Sequence, residues 1–265
     1  MTWPLFIIFF VLGTIIGSFL NVVIYRYNTE HSFGGRSMCL NCRHTLPWYD
    51  LVPIVSFLYL GGRCRNCKSK VSWQYPLVEL ATGLVFAGLF LKFESLFFFS
   101  GGLFAITYAY YAAMFSLLIV IAVYDLKHKI VPDMLAFALG ICTFIGLFFF
   151  SSDYTSSVYL HVPGPSQILA GFAVSVPFAM FWFLSRGRWM GLGDAKLAVG
   201  LGFLLGMNRV ITGAVLSFWI GALAGILLLI FSKKHKMKTE IPFAPFLVLG
   251  AILAFIFEIH LFPLW

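Results

Sequence analysis

Charge is what this chain has least of. Only 11 % of its 265 residues are charged, and Asp and Glu together number ten. Ordinary soluble domains carry about 25 % charged residues, so a water-soluble globular fold is excluded. Other absences narrow the function. There is no GxGxxG, hence no Rossmann-type cofactor domain, and the glycine turn at 191–193 is too short for a Walker-type phosphate loop. The histidines share no metal-like spacing, and no nucleophile motif precedes a matching histidine for Ser-His-Asp hydrolysis. Residues 1–25 hold no charge at all. Without a basic n-region or a small-residue cleavage site, they read as a retained first span and not a removed signal peptide.

What is present is apolar: 61 % hydrophobic residues, with 31 Phe. A helix needs roughly 20 such residues to cross a bilayer core. The runs 3–25, 76–91, about 102–124, 132–150, 167–184, 197–207, 210–231 and 243–261 are the expected spans, eight in all. The uncharged run 95–124 is 30 residues, too long for one upright helix and too short for two, and Gly101-Gly102 marks its expected break. The sixth span is the weak one. Twelve residues separate Lys196 from Arg209, about 18 Å of helix against a core of about 30 Å. Snorkelling of Arg209, with Asp194 sunk into a wet recess, would reconcile the two lengths.

The net charge of +8 invites a nucleic-acid reading, but its distribution opposes one. With eight spans, 16 of the 18 Lys and Arg residues fall in loops on one side, leaving Lys92 and Arg209 opposite. By the positive-inside rule that side is cytoplasmic and both termini are outside. The run Lys233, Lys234, Lys236 and Lys238 then reads as a topological anchor near anionic lipid. The expected fold is all-α: a polytopic membrane protein with a first span (1–25), a polar cytoplasmic insert (26–75) and a seven-helix membrane core (76–265).

The insert holds Cys39-Leu40-Asn41-Cys42 and Cys64-Arg65-Asn66-Cys67. Two CxxC knuckles at this separation suit a tetrahedral zinc site whose four thiolates leave no open position, so its role is structural. A segment of about 50 residues has little core of its own and benefits from such a staple. Disulfides and a redox CxxC are the alternatives, and a cytoplasmic location disfavours disulfides. Cys142 lies mid-span and reads as a small buried apolar residue. Asp50, Pro53 and Gly61-Gly62 read as turn chemistry around the knuckles.

The scarce acids carry the chemistry. Asp125 closes one apolar run, and Asp194 sits in Gly191-Leu192-Gly193-Asp194 between two others. Ionisable groups at membrane level are functional candidates by default. Two such carboxylates can share a proton and orient a water for attack on a carbonyl. Gly191 and Gly193 allow close backbone approach beside the second. The plain alternative is a pair of interfacial aspartates, with Asp194 capping a helix that starts near Ala195. Asp133 reads as a first-turn acid on its helix dipole, and Lys196 as a boundary cation. Glu79, about a turn into the second span, requires a partner, for which Arg26 is one candidate, or a site role. Gly17, Ser18, Asn21 and Tyr25 share one helical face. Packing accounts for the first two, while Asn21 and Arg26 could border a substrate or cofactor cleft.

The order of these pieces resembles the type IV prepilin peptidases, also called prepilin leader peptidase/N-methyltransferases. The resemblance runs from Gly17-Ser18-Phe19-Leu20-Asn21-Val22-Val23-Ile24-Tyr25-Arg26, through both CxxC pairs and Tyr75-Pro76-Leu77-Val78-Glu79-Leu80. It continues with Asp125 to Pro132-Asp133 and Gly191-Leu192-Gly193-Asp194-Ala195-Lys196, and ends at Ile241-Pro242-Phe243-Ala244-Pro245-Phe246. Departures are small: Val131 where Ile or Leu is common, and Ala244 where glycine is frequent. The resemblance implies a GxGD membrane aspartyl protease of the bacterial inner membrane with Asp125 and Asp194 as its catalytic pair. Its substrates would be prepilins and pseudopilins, cut at the cytoplasmic face just before their hydrophobic helix. In bifunctional members the new N-terminus is then methylated with S-adenosylmethionine. Competing classes are an ion-coupled transporter using its membrane acids and a zinc-bearing scaffold that recruits partners through 26–75.

Overall fold

The computed structural model describes residues 3–29, 34–150, 160–188, 190–231, 241–259 and 261. The lysine run 233–238 lies outside them. Among the described residues the chain is all-helical, with two isolated β-bridges, and it divides into two compact units, Met1–Lys92 and Phe93–Trp265.

The first unit is a helix pair with a small polar insert. Helix α1 (Trp3–Arg26) packs along α3 (Gln74–Lys92). Gly13 and Gly17, one turn apart, form the seam. A Cβ on Gly13 would lie 2.7 Å from the Phe86 Cβ, and one on Gly17 would lie 2.8 Å from the Glu79 Cα. Small residues four apart let two backbones approach where lipid supplies no hydrophobic drive. This accounts for Gly17 as a packing residue. Between the two helices come a 3-10 turn at Trp48–Leu51 and the five-residue helix α2 (Val55–Tyr59).

The second unit contains α4 (Glu94–Phe99), α5 (Gly101–His128), α6 (Asp133–Gly146), α7 (Pro165–Ala173), α8 (Ser175–Ser185), α9 (Leu192–Leu205), α10 (Met207–Phe231) and α11 (Ala244–Ile256). The long uncharged run breaks at Ser100, and α5 starts at Gly101 as expected. Helices α7 and α8 are one apolar segment interrupted at Val174. Pro177 removes the donor that the carbonyl four residues earlier would take, and the Ser175 hydroxyl donates back to the Gly171 carbonyl at 2.8 Å. Phe93, Tyr111, Phe115 and Phe255 form an aromatic core, with centroids of paired rings 4.9–6.3 Å apart.

Among the described residues, five segments are long and apolar enough to cross a membrane: α1, α3, α5, α7–α8 and α10. Helices α6 and α11 are shorter apolar helices. The weak sixth span differs most from expectation. Helix α9 begins at Leu192, five residues before the expected start, and ends at Leu205, short of Gly206 with its φ of +78°. Its 14 residues make about 21 Å of helix. It is buried around most of its circumference by α6, α7 and α8. Gly200 admits Leu139, and Gly202 lies against the Ala170 carbonyl.

Candidate active site and metal centre

Asp125 lies in the last turn of α5 and Asp194 in the first turn of α9. Both are buried, at 4 % and 6 % exposure, and they are near enough to interact electrostatically. A helix N-terminus serves each carboxylate. That of Asp125 accepts a hydrogen bond from the Ala244 N–H, the first residue of α11. That of Asp194 accepts one from the Gly191 N–H at the N-cap of its own helix. Helix starts present unsatisfied N–H groups and positive partial charge, so two helix ends orient the pair. Asp194 is therefore not the cap of a helix starting near Ala195. It is the third residue of a helix that starts at Leu192, reaching back to the cap as a capping-box acid does.

The two glycines of the turn differ. Gly193 lies directly under Val131, whose Cβ would be 2.7 Å from an added Cβ, and this close approach joins the segment after α5 to the start of α9. Gly191 has an ordinary extended conformation, and an added Cβ would meet nothing closer than 3.8 Å. Lys196 does not face the aspartate pair through its ion pair: its Nζ lies 2.7 Å from Asp133 Oδ1 and over the Phe137 ring. Asp133 does open α6, as a first-turn acid should.

In the first unit the four cysteines converge. The Sγ atoms of Cys39, Cys42, Cys64 and Cys67 all lie within 4.8 Å of one another, and those of Cys39 and Cys67 are 3.8 Å apart. Four thiolates about 2.3 Å from one zinc are about 3.8 Å apart along a tetrahedral edge, so the cluster fits such an ion. The two knuckles repeat one geometry. Cys39 and Cys64 donate their N–H to the carbonyls of His44 and Ser69. Arg43 and Lys68, the fifth residue of each, take φ of +55° and +57°. Each knuckle's asparagine reaches the other's last sulfur, Asn41 to Cys67 at 3.7 Å and Asn66 to Cys42 at 3.9 Å. Ser69, through its hydroxyl and backbone N–H, holds the Cys67 thiol down at about 5. The Cys42 backbone N–H holds Cys39 below the usual thiol value. Thiolates are the form a metal takes. Asp50 is more than a turn residue, since it holds the Arg65 guanidinium through both carboxylate oxygens at 2.7–3.1 Å.

Glu79 is buried, and its partners are not the expected cation. Its carboxylate takes the Ile54 N–H at 2.8 Å and a hydrogen bond from the Ser18 side chain. The Arg26 guanidinium donates to the Gly34 carbonyl at 2.6 Å. Asn21 is 1 % exposed and donates to the carbonyls of Gly17 and Tyr75, while its Oδ1 has no hydrogen-bond partner among the described residues. The sequence did not point to Ala244, Asn41, Asn66 or Ile54 as partners. The repeated asparagine before each second cysteine was the available signal for two of them; the backbone donors left none.

Fold and sites together define a multi-pass helical membrane protein with a buried aspartate pair and a four-cysteine metal-ligand cluster. The bacterial peptidase A24 N-terminal domain matches residues 11–93, and the type IV leader peptidase family matches residues 112–230. The chain is 34 % identical to the prepilin leader peptidase/N-methyltransferase of Myxococcus xanthus (strain DK1622), over 89 % of this chain and 67 % of that protein. It is 32 % identical to the protein of the same name from Bacillus subtilis (strain 168), over 94 % and 93 %. It is 31 % identical to the type 4 prepilin-like proteins leader peptide-processing enzyme of Escherichia coli O78:H11, over 91 % and 89 %. No solved structure matches. The chain belongs to the type IV leader peptidase family and is a peptidase.

Proposed function

We propose that the enzyme removes the basic leader of type IV prepilins and pseudopilins with Asp125 and Asp194 as its catalytic pair. The observation that carries this reading is the pair itself: two buried carboxylates, near enough to interact electrostatically, each held by a helix N-terminus. Close carboxylates ionise unequally, so one keeps a proton while the other is charged. The ionised member takes a proton from water as it attacks the scissile carbonyl. The protonated member donates to the carbonyl oxygen as charge develops there. Gly193 keeps α9 close to the end of α5, and Lys196 fixes the start of α9 through Asp133.

In this reading eight helical segments span the membrane of a bacterial cell, with 26–75 and the cleavage site facing the cytoplasm. The functional division is a first span (1–25), a zinc insert (26–75) and a protease core (76–265). The positive-inside distribution of the basic residues supports the orientation. Zinc on Cys39, Cys42, Cys64 and Cys67 supplies a structural crosslink and no open coordination position. Methylation of the new N-terminus with S-adenosylmethionine is the second activity proposed. Glu79, Asn21 and Arg26 are its candidate contacts, and the buried acceptor Asn21 Oδ1 suits the ammonium of such a ligand.

Co-expression with a prepilin tests the dyad. Asp125→Asn and Asp194→Asn should each reduce cleavage by at least about a hundredfold, the scale of one lost acid–base group. Processing that survives either change excludes that residue from catalysis. Mass spectrometry of the product N-terminus, with S-adenosylmethionine in excess, tests methyl transfer separately.

A further inference from the structure

Helix α2 is turned inside out for a loop in water. Val55, Leu58 and Tyr59, at helical spacing on one face, are exposed, while Ser56 is half-buried. The preceding turn continues this surface, since Trp48, Tyr49, Leu51 and Val52 are exposed as well. Trp48, Leu58, Tyr59 and Trp73 are each at least 66 % exposed. Arg65 joins the pieces into one patch, with its guanidinium over the rings of Tyr49 and Tyr59 while it is ion-paired to Asp50.

The depth of this patch can be read from α3. The Ile54 N–H, at the N-cap of α2, is bonded to Glu79, and the Phe57 ring packs on Trp73 at 4.9 Å. Glu79 is five residues past the start of α3, about 7.5 Å down the helix axis. The 19 residues of α3 span about 28 Å, roughly one hydrocarbon core. Helix α2 therefore starts alongside the first turns of a membrane-spanning helix and cannot stand off in bulk water. Interfacial segments bury their apolar face about 5–10 Å into the boundary between headgroups and acyl chains, and Trp and Tyr favour that layer. Charge points the same way. Residues 26–75 contain seven Lys and Arg against two acids, and one of those acids is paired with Arg65.

We propose that Trp48, Tyr49, Leu51, Val55, Leu58 and Tyr59 form a lipid-docking surface by which the insert lies in the interfacial layer of an anionic leaflet. The bilayer, and not a protein partner, covers this face. The basic residues around it meet lipid phosphates, and the zinc cluster is held beside the membrane instead of swinging free above it.

The test uses the full chain in liposomes of phosphatidylethanolamine and phosphatidylglycerol, with and without a prepilin. Benzoylphenylalanine in place of Leu58 is photoactivated, and its adducts are identified by mass spectrometry. Phospholipid should dominate, unchanged by the prepilin. In parallel, the Trp48 emission, taken as wild type minus Trp48→Phe, should fall at least twofold when the lipids carry bromines high in the acyl chain. An adduct predominantly with prepilin, or with another part of this chain or a second copy, overturns the proposal. Where crosslinking yields no adduct, the quenching decides, and an unquenched Trp48 overturns it as well.

Discussion

The buried carboxylate of Glu79 accepts a hydrogen bond at 2.8 Å from the N–H of Ile54, a β-branched residue held at φ +61° and ψ −51°. Val55 donates back to the Pro53 carbonyl, so Ile54 is the centre of a γ-turn of the rare, strained kind. Such a conformation costs about 1–3 kcal/mol and persists only where its surroundings over-determine it. Glu79 supplies that constraint. Glu79→Ala leaves a part-buried N–H without its acceptor, a loss of up to about 1–3 kcal/mol. Hydrogen exchange over residues 48–62 should then rise about tenfold or more with helix content unchanged. Glu79→Gln, which keeps a carbonyl acceptor, should lose less. Unaltered exchange in Glu79→Ala would mean that the contact does not hold the insert.

The glycines at 191 and 193 are predicted to respond oppositely to a methyl group. Gly193→Ala drives a Cβ to 2.7 Å from the Val131 Cβ, an overpacking that costs about 1–3 kcal/mol. The thermal midpoint should drop, and Val131→Gly in the same chain, which removes the opposing Cβ, should restore part of it. Gly191→Ala meets ordinary contacts and keeps the backbone N–H that serves Asp194. Its midpoint should stay within the error of the wild type. Equal losses at both positions would contradict this assignment of the close approach.

Removal of one thiolate should empty the proposed zinc centre. Zinc per chain, measured by elemental analysis, should fall by at least tenfold in Cys64→Ser. Asn41→Ala and Asn66→Ala remove the amides that cross from each knuckle to the other's last sulfur. Partners of this kind are worth roughly 10–100-fold in metal affinity. Retention of full affinity in both asparagine variants would make those contacts incidental.

Lys196 offers a contrast between position in a motif and position in space. It follows Asp194 by two residues, yet its ammonium pairs with Asp133, 63 residues away. Asp133 is exposed and Lys196 half-buried, so Lys196→Met should cost no more than about 1 kcal/mol. Cleavage should change by less than about threefold, with its pH optimum unmoved. A displaced optimum would mean that Lys196 acts on the aspartate pair directly.

What the sequence made legible was local or categorical. The scarcity of charge fixed the helical membrane class. The CxxC spacing predicted the cysteine cluster, and Gly101-Gly102 located the start of α5. The contacts that orient the side chains were hidden for a physical reason. Asp125 and Glu79 are held by backbone N–H groups of Ala244 and Ile54, and a backbone donor is present at every residue except proline. The start of α9 was misplaced because two glycines read as turn. The helix instead runs through Gly193, whose missing side chain admits Val131. The apolar length of α6, α9 and α11 also under-reports their role. In α9, Leu197, Leu201, Leu204 and Leu205 are buried in protein, and a hydropathy run does not tell such residues from lipid-facing ones.

The acid–base behaviour of the proposed catalytic pair gives the strictest check on the proposed chemistry. Two carboxylates that share one proton, as proposed for Asp125 and Asp194, release their protons in two macroscopic steps that belong to the pair and not to either residue. Only the form with one proton has both a base for water and an acid for the carbonyl oxygen. As pH rises through the first step, the doubly protonated pair gains its base and cleavage accelerates. As pH rises through the second, the pair loses its acid and cleavage slows. Single-turnover cleavage of a prepilin in liposomes, measured across pH with the fold monitored by circular dichroism, should trace a bell with unit slope on each limb. A rate that climbs and then stays flat to high pH would indicate one carboxylate acting alone as base. In that case the second aspartate would hold structure, and its asparagine variant would keep the climbing limb at a reduced height.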